Sequence, residues 1–190
     1  MSVPVGGAAL GACGLFCGLC PRFQSRAASR CLGCRRGQMH SYCGVYRCCV
    51  VRRGLASCAE CAESPCPRLL RSLKVEEGLD GFMSHRPALA NLARIREVGR
   101  DAYLAEQGAR VVLVEELLSE WNDGRSATLY CTACTLLPPA RVRPVLSRVR
   151  AGVSPAGTGP DAKTRAHAMR EALLALAEEE GVSLVLRRRR

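Results

Sequence analysis

The sequence predicts a mainly α protein, α+β at most. A small irregular cysteine-rich module comes first, and a helical C-terminal part comes after it and ends in a short strand. Three observations lead there. Eleven of the 13 cysteines fall within the first 66 residues, where turns are frequent and apolar runs are few. From Ser84 onward the apolar residues recur at helical spacing. The strand–helix alternation of a parallel α/β fold is missing. A chain that is 48% hydrophobic and 24% charged is neither a disordered tail nor an all-apolar membrane protein.

In chain order, residues 1–12 read as a flexible arm, residues 13–70 as the cysteine-rich module, and residues 71–190 as a helical part packed on it. Residues 2–21 carry no charged side chain, and Leu10-Gly11-Ala12-Cys13 has the outline of a lipoprotein cleavage site. No basic residue precedes the stretch, and glycines and cysteines interrupt it before Pro21-Arg22. The expectation is therefore a protein of the reducing cytoplasm, with no membrane segment. Residues 13–66 are too few and too polar to bury a good core alone, so ligation must supply part of their stability.

Pro67 to Lys74 reads as a helical turn. Ser84 is expected to cap a helix with Pro87 in its first turn, with Leu89, Leu92, Ile95 and Val98 on one stripe and Gly99 as its stop. A second helix is expected over Arg100–Asn122, burying Val111, Val114, Leu118 and Trp121, with a turn at Asp123-Gly124. Ser126–Leu137 fits a short helix through Leu129, Ala133, Leu136 and Leu137, or a strand through Thr128, Tyr130 and Thr132. The helix is preferred, ending before Pro138. Pro139–Arg150 reads as another short helix despite Pro144, and residues 151–160 as a loop. Asp161–Glu180 gives the clearest helix, with Ala166, Met169, Leu173 and Leu176 on its stripe and Gly181 at its end. Val182–Leu186 reads as the terminal strand.

The cysteines come in four clusters: Cys13, Cys17 and Cys20; Cys31 and Cys34; Cys43, Cys48 and Cys49; Cys58, Cys61 and Cys66. An odd total and repeated C-x-x-C pairs argue against a disulfide framework and for metal, since two thiolates three residues apart reach one ion from a tight turn. Zinc is the default occupant because it takes four thiolates tetrahedrally without redox chemistry. Eleven thiols fill two such sites, and spacing alone does not say which cysteines share an ion. His40, three residues before Cys43, is a further donor by type, though a polar surface histidine is the simpler reading. Cys131 and Cys134 stand apart in sequence and read as small core residues one helical turn apart.

The order CGLxCxxC, CxGC, CxVxxC and CxxCxxxPC over residues 13–66 resembles the cysteine-rich bacterial and archaeal family called domain of unknown function 3795. Looser likeness continues through His85-Arg86-Pro87, Ile95 to Gly99, Asp123 to Ser126 and the Ala177–Leu186 ending. The family is taken to bind zinc and has no assigned activity. The resemblance implies a metal module whose ligands are Cys13, Cys17, Cys20, Cys31, Cys34, Cys43, Cys48, Cys58, Cys61 and Cys66, and it leaves Cys49 undecided. The chain departs from the family at Ala62-Glu63-Ser64-Pro65, where an aromatic residue often precedes the proline. The alternative occupant is an iron–sulfur cluster, because Cys13-x₃-Cys17-x₂-Cys20-Pro21 shares features with cluster-binding loops.

No motif of a hydrolase nucleophile, a zinc protease or a dinucleotide fold is found. Gly157 to Thr164 approaches a phosphate loop but has Ala162 where glycine belongs, and reads as a loop and helix start. The expected role is a non-enzymatic metal protein that presents a surface to a protein partner or, more weakly, to nucleic acid. Net charge is +11, with +7 on residues 1–70, −2 on 71–140 and +6 on 141–190. Arg35-Arg36, Arg52-Arg53 and the final four arginines are candidate phosphate contacts. Three Phe, four Tyr and one Trp are too few for base stacking.

Overall fold

The computed structural model describes residues 7–37, 39–152 and 161–188, without the side chains of residues 39 and 40. The chain is mostly helical, in agreement with the mainly α prediction. It divides into two compact units, one made of Met1–Gly108 with Leu186–Arg190, the other of Ala109–Val185. The division falls inside a helix and not near residue 70, because the helix after the cysteine loops packs with those loops.

The first unit is built from short pieces. Gly7–Ala9 and Cys17–Leu19 are single 3-10 turns. Helix α1 is Pro21–Gln24, α2 Met39–Tyr42 and α3 Gly44–Tyr46. Next come a π-helical stretch Arg47–Arg52, a 3-10 turn at Cys58–Glu60, and α4 at Pro67–Leu73. Pro21 and Pro67 open their helices, where a missing N–H costs nothing. Residues 9, 10 and 12, read from sequence as part of an arm, are core instead. Ala9, Leu10 and Ala12 are buried, and Leu10 pairs with Phe16 in a β-bridge. That bridge folds an uncharged stretch back on itself and buries it, which accounts for its hydropathy.

Helix α5, Ala88–Val98, buries Ala88, Leu92 and Ile95. Ser84 does not cap it, since the helix starts four residues later with Pro87 at its N-cap. Ser84 is instead drawn to a buried carboxylate. Asp80 Oδ1 accepts from Ser84 Oγ at 3.1 Å and from the His85 N–H at 2.8 Å. Its Oδ2 accepts from the Arg187 N–H at 2.9 Å and lies 3.8 Å from the Arg86 guanidinium. The Asp80 N–H in turn donates to the Arg187 carbonyl at 2.7 Å. The strand expected at Val182–Leu186 is therefore absent. This segment has no neighbouring strand among the described residues, and the chain just beyond it is tied to Asp80 through Arg187.

Gly99, at φ +83°, separates α5 from α6, Arg100–Glu120. In the second unit α6 buries Val111, Leu113, Val114 and Leu117, and Trp121 is buried just beyond its end. Leu117 takes the place predicted for Leu118, which is only half-buried. Helix α7, Ala127–Leu136, has Tyr130, Cys131, Thr132, Ala133 and Cys134 all buried. A helix covered on every side carries no apolar stripe, which is why its sequence fits a strand equally well. The Tyr130 hydroxyl donates to the Trp121 carbonyl at 2.9 Å.

Helix α8, Pro139–Gly152, runs unbroken through Pro144. The carbonyl that Pro144 leaves without a donor belongs to Ala140, which is exposed and open to water. Helix α9, Ala162–Glu179, is capped by Asp161, whose carboxylate accepts from the Thr164 N–H at 2.7 Å. It buries Ala166, Met169, Leu173 and Leu176 as predicted, with Ala177 added. Residues 153–160, including the first half of the near-phosphate-loop motif, lie outside the described residues, as do Arg189 and Arg190. Among the described residues no helix is long and apolar enough to cross a membrane.

Candidate metal centre

All eleven cysteines of residues 13–66 belong to the first unit, and α5 holds their loops in place. Gly14, between Cys13 and Cys17, has φ +86°, and a Cβ there would lie 2.5 Å from the Ala88 carbonyl oxygen and 2.7 Å from Leu92 Cγ. Only glycine lets the first cysteine loop approach α5 this closely. Asn91 fixes the contact by donating to the Gly14 carbonyl at 2.9 Å. One turn further along α5, Arg96 reaches the last loop. Its Nε donates to the Ala59 carbonyl at 2.8 Å, and its guanidinium also serves the carbonyls of Cys58 and Ser64. Arg35 ties the loops from the other direction by donating to the carbonyls of Leu10 and Ala56. The Cys58 N–H donates to the Ala12 carbonyl at 2.8 Å.

Within this frame the sulfurs draw backbone donors. The Cys34 N–H points at Cys17 Sγ at 3.5 Å, the Gly33 N–H at Cys31 Sγ at 3.4 Å, and the Tyr46 N–H at Cys43 Sγ at 3.4 Å. The sulfur of Cys13 accepts from Leu15, and that of Cys20 from Arg22 and Phe23. Arg53 adds a side-chain donor, its guanidinium lying 3.2 Å from Cys61 Sγ while Glu63 holds its other end at 2.7 Å. Such donors stabilise sulfur as thiolate, the form that binds metal.

Two sulfur groups can be distinguished. In the first, Cys17 is hydrogen-bonded through its side chain to Cys34, and Cys20 feels the charges of Cys31 and Cys34. The shared hydrogen pushes the Cys17 thiol up, with burial adding to it, and brings Cys34 down to about 7. In the second, Cys58 is hydrogen-bonded to Cys49, which raises Cys58 and lowers Cys49. Cys48, Cys49, Cys58, Cys61 and Cys66 line one cavity of about 30 Å³ beside that pair. Burial raises the Cys13 thiol to about 12, against the Leu15 N–H. Among the described residues no three His, Cys, Asp or Glu side chains already stand in an arrangement that would hold an ion. The sulfurs meet in pairs, with further thiols around each pair.

Sequence reasoning left Cys49 undecided, yet it is 3% exposed, and its thiol donates to the Leu55 carbonyl at 3.7 Å. Nothing in its spacing marks it, since it sits directly after Cys48. The side chain of His40 lies outside the described residues. Two of the arginines read as phosphate contacts are already engaged, Arg35 on carbonyls and Arg53 on Glu63 and Cys61. Cys131 and Cys134 are both 1% exposed inside the second unit, and burial raises the Cys134 thiol to about 12. Comparison with protein-family models, curated proteins and solved structures finds no match for this chain.

Proposed function

We propose that this chain is a cytoplasmic, non-enzymatic zinc protein whose ions hold the cysteine loops as a surface for a partner. The observation that carries the reading is the sulfur environment of the first unit, where five cysteine sulfurs take backbone N–H donors. Thiols serving only as apolar filling have no use for such donors. Zinc suits a donor set made of thiolates alone, and a closed site of four thiolates leaves no open position for chemistry. The spacing likeness to domain of unknown function 3795 supports the same reading.

Cys17, Cys20, Cys31 and Cys34 form the first ligand set, two C-x-x-C pairs facing each other across the Cys17–Cys34 contact. Cys58, Cys61 and Cys66, completed by one thiol of the Cys48-Cys49 pair, form the second. Each set of four thiolates with one Zn²⁺ carries −2. Two sets lower the net charge of residues 1–70 from +7 to +3, so part of the arginine excess balances thiolates. With Arg35 held on backbone carbonyls and Arg53 on Glu63, a protein partner is favoured over nucleic acid. Anaerobic purification with metal analysis and a visible spectrum tests the proposal. Two zinc ions per chain and no visible absorbance are expected, whereas iron with sulfide and a broad band would replace zinc by an iron–sulfur cluster.

A further inference from the structure

Beside the cysteine loops the first unit carries a groove of about 570 Å³, within the roughly 300–1,000 Å³ of ligand clefts. One part of its lining comes from α3 and the π-helical stretch, another from α4 through Arg68, Arg71 and Ser72, and Arg53 and Glu63 complete it. We infer that this groove is where the partner docks, and that it takes an acidic segment of a protein whose carboxylates bind Arg68 and Arg71. The inference rests on the reading of this chain as a surface for a partner, and it names that partner's chemistry.

The first argument is charge. Three arginines and one glutamate line the groove. Arg53 is engaged within the molecule, since its guanidinium meets Glu63 at 2.7 Å and Cys61 Sγ at 3.2 Å. Arg68 and Arg71 are exposed, and among the described residues neither guanidinium has a carboxylate, carbonyl or sulfur partner. Arg94, Arg141 and Arg150, also on helices, each hold two carboxylates. Two positive charges thus stay uncompensated in one recess, and a recess of one sign gathers ligands of the other.

The second argument is spacing. Arg68 and Arg71 are three residues apart on α4, so they share a helix face with their Cβ atoms about 5–6 Å apart. Alternate side chains of an extended chain stand about 6.5 Å apart on one side. A segment with acidic residues at alternate positions sets one carboxylate against each guanidinium, whose planar fork holds it by two parallel hydrogen bonds. Gly44 keeps the space beside one of these guanidinium groups open, because a Cβ there would stand 3.7 Å from Arg68 Nη1. Nucleic acid suits the groove less well. Among the described residues no Phe, Tyr or Trp lines it to stack a base, and two phosphate contacts supply little of the charge-driven affinity.

Fluorescence polarisation of a short labelled peptide of alternating glutamate and alanine, with the purified full chain, tests the inference. The chain is expected to bind it, and to bind the glutamine counterpart at least about tenfold more weakly. Arg68→Gln and Arg71→Gln should each weaken binding about tenfold. Arg143→Gln removes the same charge from an exposed position on α8, outside the groove, and should change binding by less than about twofold. A parent that does not bind the peptide, or a loss as large in Arg143→Gln as in the groove variants, overturns the proposal. So does a single-stranded oligonucleotide that binds more tightly than the peptide and is lost with the same two arginines. Zinc is counted on the same samples by native mass spectrometry, and both groove variants are expected to keep the parent's count. An ion lost together with binding would assign the arginines to the fold of the metal module and overturn the docking proposal. A parent without zinc overturns the zinc reading alone, because the peptide measurement decides the groove by itself.

Discussion

Both units contain a C-x-x-C pair, and the two kinds of pair behave differently. Cys131 and Cys134 lie on α7, whose backbone N–H groups are consumed by the helix ladder, so their sulfurs rest among buried side chains. Cys17-x-x-Cys20 and Cys58-x-x-Cys61 begin on single 3-10 turns. There the chain turns away after one bond, and nearby N–H groups and arginines face the sulfurs. The same spacing therefore gives packed thiols on a regular helix and ligand-like thiols on a turn. The deciding variable is where the backbone donors go.

The largest expected effect separates the units directly. A strong chelator should unfold the cysteine loops while the helices of the second unit persist, because they rest on buried side chains of α6 to α9. Hydrogen exchange read by mass should show protection lost across residues 9–66 and kept in α7 and α9. Equal loss in both units would show that the second depends on metal as well.

A smaller effect tests the closure of the first unit. Burial pushes the Asp80 carboxyl up, but the N–H groups of Arg187 and His85, the Ser84 hydroxyl and the Arg86 guanidinium outweigh it, so the group is lowered overall. A carboxyl lowered in the folded state contributes stability that is fully present above its unfolded value of about 3.9. That contribution is lost as pH falls through the lower folded value. Asp80→Asn should cost about 2 kcal/mol at neutral pH. The gap between parent and variant in urea melts should narrow below about pH 4. A gap independent of pH would mean that the charge contributes nothing.

The smallest effect sharpens the contrast between cysteine pairs. Cys134→Ala should cost about 1 kcal/mol through lost packing, with the number of bound zinc ions unchanged. A lost ion would place Cys134 among the ligands.

Much of the second unit was legible because it is written in one code. The stripe of α9 and its Asp161 cap need only helical periodicity and one side-chain hydrogen bond. The code weakened where burial became uniform, at Tyr130 to Cys134, and slipped by one residue at Leu117. In the first unit the cysteine clusters were plain, but their partners were not. Cys17 with Cys34 and Cys49 with Cys58 are contacts between segments, which local spacing does not encode. Gly14 against Ala88 and Arg96 against Ala59 are equally non-local. Ser84 obeyed the capping rule by type, but a buried carboxylate four residues earlier claimed its hydroxyl.

The bond between Asp80 and Arg187 spans 107 positions. A ribosome makes Asp80 107 residues before Arg187, at about 5–20 residues per second. For that interval the second unit, whose residues all lie between, can fold by itself, while the first lacks its closing residue. The first unit, although most of it is made earlier, is thus closed only after the second has been made.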